Sequence, residues 1–356
     1  MTLTRRALAA SALALPLIAR GAKAAPKKPI VIAHRGASGE RPEHTELAYR
    51  LAVDQGADFI EPDLVVSKDG HLVVRHENEI GGTTDVAARP EFAARKATKL
   101  IDGENLTGWF AEDFTLAELK SLRARERLPQ LRPASAKFDG QAQILTFQEV
   151  VALARAESQR VGRVIGVYPE MKHPTFLASI GLPIEDRMAA ALRETGLDSP
   201  DAPVFVQCFE VAPLKTIRRR TSARLVQLVS SEGGPADAPS VTYAQMLTPD
   251  GLKAIASYAS GVGPEKTLVV PQNEETLLPA TSLVKDAHAA GLVVHPWTVR
   301  AENYFLPKSL KKGMAIRPDY PRLQGDVIPV LKALYAAGVD GVFSDFPGLA
   351  VLARDA

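Results

Sequence analysis

The 356-residue chain is predicted to be an α/β protein, a parallel (β/α)8 TIM barrel with an insertion after its second strand. Three observations lead there. Apolar strand-like runs alternate with amphipathic helix-like stretches from residue 29 to the C-terminus. The runs number eight. They are near-continuous in apolar residues, as strands covered on both faces are, and do not alternate with polar ones. An open doubly wound sheet is the alternative. It would want a glycine-rich phosphate loop after its first strand, and Gly36-Ala37-Ser38-Gly39 is not the dinucleotide fingerprint.

The first run covers residues 29–33 and is followed by a helix over 45–56. The second, 59–66, passes through a Lys68-Asp69-Gly70 turn into a short hairpin partner at 72–75. The stretch from His76 to Thr146 is rich in proline, charge and aromatics such as Trp109, Phe110 and Phe114. It is too long for a plain loop, so residues 77–145 or thereabouts are read as an insertion over one barrel face. Helix 147–158, strand 164–170, helix 184–195 and strands 204–208 and 224–229 come next. Helix 252–259, strand 267–271, helix 281–290, strand 292–296, helix 327–337 and strand 341–344 complete the pattern. The helices before the last two strands end in Ala-Ala-Gly, at Gly291 and Gly338, where glycine takes a left-handed cap. No internal repeat or low-complexity tract interrupts residues 25–356, which are read as one domain.

Hydrophobic residues make up 46% and charged residues 24%, enough apolar content for a full core. A net charge of +2 argues against a nucleic-acid partner. The single cysteine, Cys208, rules out an intramolecular disulfide, and its apolar surroundings mark it as a core residue. Residues 1–24 have the make-up of a signal peptide: Arg5 and Arg6, an apolar stretch from Ala7 to Ala19, and a small-residue cleavage site at Ala22-Lys23-Ala24. Thr4-Arg5-Arg6 also suits twin-arginine export, although the arginine pair occurs in ordinary export signals too. The expected location is therefore periplasmic or secreted, without a stable membrane anchor after signal removal.

In a barrel the working groups sit at the C-terminal ends of strands. His34, Glu61, Asp63, His76, Glu170, Lys172, Gln207, His295 and Trp297 all fall at or near such ends. Glu61 and Asp63 are two apart on one strand and share a face, so their like charges call for a proton or a cation. With Glu170 they form an oxygen-only set suited to a hard divalent ion such as Ca²⁺ or Mg²⁺. His34 and His76 are candidates for a general acid and general base, since imidazole titrates near neutrality. Arg35 and Lys172 offer donors to a phosphate. His44, His71, His173 and His288 are left as surface or supporting residues.

The stretches His34-Arg35-Gly36-Ala37-Ser38-Gly39, Pro42-Glu43-His44-Thr45, Gly56-Ala57-Asp58, Glu61-x-Asp63 and Asp69-Gly70 with His76 resemble the glycerophosphodiester phosphodiesterase family in its periplasmic form. So do Gly261-Val262-Gly263-Pro264, the run from Val294 to Arg300, and the run from Asp340 to Pro347. The resemblance covers nearly the whole chain after the signal. It implies a barrel with a segment inserted after the second strand, and hydrolysis of glycerophosphodiesters to sn-glycerol 3-phosphate and an alcohol, usually with Ca²⁺. It implies Glu61, Asp63 and Glu170 as metal ligands, His34 and His76 as the acid/base pair, and Arg35 and Lys172 as phosphate contacts. It further implies Glu43 as a supporting acid, with metal ligation left open, and Trp297 as an aromatic near the substrate. Gln207 is carried as a supporting residue. Many relatives have Asn in place of His44 and Asp in place of Glu77.

The expected chemistry is in-line displacement at phosphorus, with water or the glycerol 2-hydroxyl as nucleophile. The expected partners are small glycerophosphodiesters whose alcohols are poorly discriminated. Two rivals are a barrel that cleaves phosphatidylinositol or lysophospholipid, which should carry a lipid-binding rim, and an exported phosphodiester-binding protein without catalysis, which would not need both histidines.

Overall fold

The computed structural model describes residues 28–356. The export signal expected over residues 1–24 lies outside them.

The first barrel strand, Ile30–His34, pairs in parallel with Phe59–Glu61 on one side and Gly341–Ser344 on the other. The second strand is broken at Pro62, which has no N–H for a ladder bond, and resumes as Asp63–Val66. The third is split in the same way at Pro169, between Gly166–Val167 and Glu170–Met171. Parallel pairing then runs through Phe205–Cys208, Arg224–Val229, Gly261–Pro264 and Val293–Val294. A parallel bridge from Val299 to Ser344, and the Phe343 N–H donating to Pro296 O at 3.0 Å, return the sheet to its starting edge. The result is the closed eight-stranded barrel the sequence predicts.

One strand differs from the sequence reading. Residues 267–271 do not form the sixth strand: the short helix Lys266–Val269 occupies that stretch, and the strand is Gly261–Pro264. The reason is steric. A Cβ on Gly261 would come within 2.7 Å of Val293 Cγ2, and one on Gly263 within 2.6 Å of Leu228 Cδ2. The neighbouring strands require glycine there, and glycine dilutes the apolar signal by which a strand is read.

Alternation along the strands sorts two cores. Val31 and Ala33 face the helices, whereas Ile32 joins Tyr168, Phe205, Val226 and Phe343 inside the barrel. Tyr168 stacks on Phe205 with centroids 5.0 Å apart and fills the barrel beneath the strand ends. The helix Glu46–Asp54 begins at Thr45, whose Oγ1 accepts the Ala48 N–H at 3.1 Å, a cap worth about 1 kcal/mol.

The segment after His76 is ordered. Ala97–Ile101 and Glu104–Gly108 form an antiparallel hairpin around Asp102-Gly103, both at positive φ (50° and 89°). The helix Leu116–Ser121 follows, with a capping box between Thr115 and Glu118. Phe92, Phe114, Leu119 and Ile144 pack on Val65 and Val73, the outer face of the second strand and its hairpin partner Leu72–Val74. Burying a side chain the size of Phe114 contributes about 1.5–3 kcal/mol, so this segment is fastened to the barrel wall beside the strand that carries Asp63.

Candidate active site

Strand register assembles the site. His34 lies beside Glu61, Asp63 beside Glu170, and Glu170 beside Gln207. Four adjoining strands thus bring their polar residues to one level at the C-terminal rim, above the aromatic fill.

One oxygen from each of Glu61, Asp63 and Glu170 lies within 4.8 Å of the others, and all three residues are buried. Burial, then the Asp63 charge, pushes Glu61 well above the usual carboxylate range. Burial pushes Glu170 up to about 8, with Lys172 opposing and Asp63 adding to it. Asp63 goes the other way: burial works against its charge, but Lys172, His76 and Arg35 outweigh that and hold it well below. Asp63 Oδ1 and Gln207 Oε1 are buried without a hydrogen-bond donor. Crowded carboxylates with undonated oxygens fit a hard divalent cation, which would relieve both conditions.

Cationic groups flank the acids. The Arg35 backbone, at φ 62°, donates its N–H to Glu61 Oε2 at 2.7 Å. Its guanidinium donates Nη1 to Glu43 Oε2 at 3.1 Å, and its Nε lies 3.3 Å from Asp63 Oδ2. Glu43 also accepts Arg127 Nε at 2.9 Å, so it sits behind Arg35 and outside the three-acid group. Lys172 Nζ donates to Glu170 Oε1 at 3.0 Å and to His76 Nε2 at 3.2 Å. Gln207 Nε2 donates to Glu61 Oε1 at 3.2 Å.

Each histidine is backed by a carboxylate. His34 Nδ1 is 2.6 Å from Asp345 Oδ1, and Asp345 Oδ2 accepts Arg132 Nη2 at 2.5 Å and Arg300 Nε at 3.0 Å. Burial is opposed there by Arg132, Arg300 and His34, which hold Asp345 well below the usual range. An ionised Asp345 keeps the imidazole proton on Nδ1 and leaves the Nε2 lone pair free. His76 Nδ1 lies 2.6 Å from Glu77 Oε1, close in distance although poorly aligned as a hydrogen bond. Burial and the Arg35 charge lower His34 to about 4; burial, Arg35 and Lys172 lower His76 to about 3. Both imidazoles are therefore neutral bases before an anion binds.

Above this layer opens a cavity of about 270 Å³. His34, Arg35, Glu61, His76, Glu170 and Lys172 line its polar side, and Phe209, Trp297 and Phe343 its apolar side. Trp297 is held by its Nε1–H donating to Gly263 O at 2.9 Å and by an edge contact with Phe209 at 5.6 Å. A larger groove of about 630 Å³ runs along Glu46, Arg50, Lys120 and Gln141 on the outside of the barrel, away from the strand ends and the two histidines.

The sequence model of the glycerophosphoryl diester phosphodiesterase family matches residues 34–349, which span both histidines, all three acids and the last strand. The chain belongs to that family. A glycerophosphodiester phosphodiesterase of Arabidopsis thaliana is 37% identical over 345 residues, covering 92% of this chain and 88% of the relative. One from Haemophilus influenzae is 31% identical over 347 residues, covering 90% and 88%. Among solved structures, a Silicibacter pomeroyi protein described as a glycerophosphoryl diester phosphodiesterase superposes with TM-score 0.65 at 21% identity, covering 93% of this chain and 94% of its own. An Oleispira antarctica phosphodiesterase in complex with the product sn-glycerol-3-phosphate superposes with TM-score 0.59 at 22% identity, covering 92% and 98%. These two likenesses establish the shared fold.

In this family member the sequence-predicted residues converge, with two qualifications of place. Asp63 lies beneath the cavity floor, 1% exposed, and Glu43 lies behind Arg35. His295, also at a strand end, turns into the barrel interior, where it bonds the Tyr168 hydroxyl at 2.8 Å and stays clear of the cavity. His44 and His173, read from the sequence only as surface or supporting residues, are both supports, and two further ones, Asp345 and Arg132, were missed. His44 is fully buried and joins Asp63 Oδ2 (2.9 Å) to the Tyr49 hydroxyl (3.0 Å). His173 bridges Glu77 (3.2 Å) and Asp102 (2.6 Å), tying His76 to the turn of the inserted hairpin. The signal for Asp345 was its place just after the last strand; nothing local marks Arg132.

Proposed function

We propose that the protein hydrolyses glycerophosphodiesters to sn-glycerol 3-phosphate and an alcohol, using a divalent cation and two histidines. The observation that carries this reading is the pair of carboxylate-backed imidazoles flanking a buried three-acid cluster at one barrel mouth. Glu61, Asp63 and Glu170 would hold the cation, Ca²⁺ by preference or Mg²⁺; when bound it offsets charge on the non-bridging phosphate oxygens. Arg35 and Lys172 add donors to those oxygens as the phosphorus centre gains charge. One imidazole takes a proton at Nε2 from the nucleophile, water or the glycerol 2-hydroxyl. A bound phosphodiester brings negative charge that favours imidazolium, so the other can give a proton to the departing alcohol. Trp297 and Phe209 cover the glycerol carbons and keep that side dry. The names of the relatives and the product bound in the Oleispira structure favour the same chemistry.

The supporting experiment is a side-by-side assay of the choline, ethanolamine and glycerol diesters with glycerol 3-phosphate as readout. The reading predicts kcat/KM values within about tenfold of each other, roughly 1.4 kcal/mol in transition-state binding, and poor turnover of intact phospholipid. No helix among the described residues is long and apolar enough to cross a membrane. We further propose export to the periplasm or medium, on the strength of residues 1–24; cell fractionation with and without that segment tests it.

A further inference from the structure

Trp297, Thr298 and Arg300 each face two ways. They line the catalytic cavity, and they also line a second cavity of about 320 Å³ whose far wall carries Glu265, Lys266 and Tyr304. This second space is rich in donors without acceptors. Thr298 is 4% exposed, and its Oγ1 has no hydrogen-bond partner. Arg300 spends Nε on Asp345 and lays its guanidinium over the Phe305 ring at 4.9 Å, leaving its terminal nitrogens without an acceptor among the described residues. Lys266 is half-buried, and its ammonium forms no ion pair among the described residues. The one acid on this wall, Glu265, is engaged elsewhere, by the Ser231 N–H and hydroxyl and by Thr267 Oγ1. Burial lowers Lys266; the Glu265 charge opposes that, and Arg300 on the facing loop adds a smaller lowering. The backbone is fixed: the Lys266 N–H donates to Trp297 O at 2.6 Å, joining the segment after the sixth strand to the loop after the seventh.

We propose that this cavity is a subsite for an anionic group, carboxylate or phosphate, carried on the alcohol half of the substrate. The inference rests on the phosphodiesterase reading above. The glycerol 3-phosphate half has only the phosphate that the catalytic cavity takes, so a second anion can come only from the alcohol. A buried hydroxyl without a partner, the unused terminal nitrogens of a guanidinium and an ammonium outside any ion pair, all lining one cavity, are the donors an oxyanion satisfies. The weak discrimination expected among neutral and cationic alcohols is unaffected; acidic alcohols stand apart from it.

Two matched pairs of substrates isolate the effect. Glycerophosphoserine differs from glycerophosphoethanolamine by a carboxylate, and glycerophosphoglycerol bearing a terminal phosphate differs from glycerophosphoglycerol by that phosphate. The acidic member of at least one pair should have kcat/KM about tenfold higher, and the pair that responds identifies the anion. Lys266→Met should bring the ratio to near one while leaving the neutral diesters unchanged, and Lys266→Arg should keep it. A wild-type ratio near one in both pairs, or a ratio that Lys266→Met does not move, overturns the proposal. So does a preference for the choline diester, which would send the alcohol past Phe209 to the cavity lined by Asp102, Glu210 and Tyr243. Calorimetry of the terminal-phosphate and serine diesters on protein carrying both His34→Ala and His76→Ala gives an answer independent of turnover. Binding of the responding diester should weaken about tenfold with Lys266→Met, and equal affinity would contradict the subsite. If no diester is turned over, the reading of function fails, and the calorimetric comparison alone decides this one.

Discussion

His34 and Asp345 stand 311 residues apart in sequence and 2.6 Å apart in space, Nδ1 to Oδ1. Two arginines, Arg132 and Arg300, hold the other oxygen of the same carboxylate. The pair fixes the tautomer of one catalytic candidate. Its arginine support comes from the inserted segment as well as from the barrel.

Asp345→Asn should therefore act through His34. The amide removes the charge that keeps the proton on Nδ1, and it leaves Arg132 and Arg300 facing an uncharged group. Turnover should fall by about 10²- to 10⁴-fold, with KM changed far less. Steady-state kinetics with circular dichroism checks this; a loss confined to KM would show that Asp345 serves binding alone.

Substituting the histidines tests the displacement itself. His34→Ala and His76→Ala should each cost about 10²- to 10⁴-fold in kcat, and the double variant should lose much less than the product of the two. Strictly additive losses would indicate separate roles in separate steps.

His173 provides a pH test away from the acids. Burial opposes its charge, but Asp102 and Glu77 raise it from the ordinary 6.5 to about 9. A raised histidine contributes stability that is fully present below about 6.5 and is lost as pH rises through about 9. Thermal unfolding of the wild type and of His173→Gln should therefore differ most below pH 6.5 or so and converge above about 9. A difference that is flat across that window would mean that the bridge carries no net charge.

The barrel was legible because most of its strands are apolar runs bounded by polar turns, and because side chains at strand ends are where a barrel places its chemistry. Glu61 and Asp63 could be paired from sequence since a spacing of two fixes a shared face. The sixth strand was not legible, because the space between Val226, Leu228 and Val293 admits only glycine at Gly261 and Gly263. The hairpin in the insertion carried a readable turn, Asp102-Gly103, hidden among charged neighbours. The supports were out of reach for another reason. Arg132 meets Asp345 across 213 residues, and His44 meets Asp63 only once the first loop folds over the second strand. Nothing in the local sequence of either partner announces the other.

The three-acid cluster predicts behaviour without any substrate. Glu61→Gln should abolish the rise in melting temperature that added Ca²⁺ gives the wild type, because a ligand that binds only the folded state stabilises it. At a cation concentration 100 times the dissociation constant that rise corresponds to about 2.7 kcal/mol. An unchanged response in the variant would move the cation elsewhere.

The most direct test is release of glycerol 3-phosphate from glycerophosphocholine by protein stripped with a chelator, then supplied with Ca²⁺ or Mg²⁺. A displacement that depends on a cation held by the three acids requires that stripping removes activity, that one of these ions restores it, and that neither ion restores it in Glu61→Gln. Full activity in the stripped wild-type protein would contradict it.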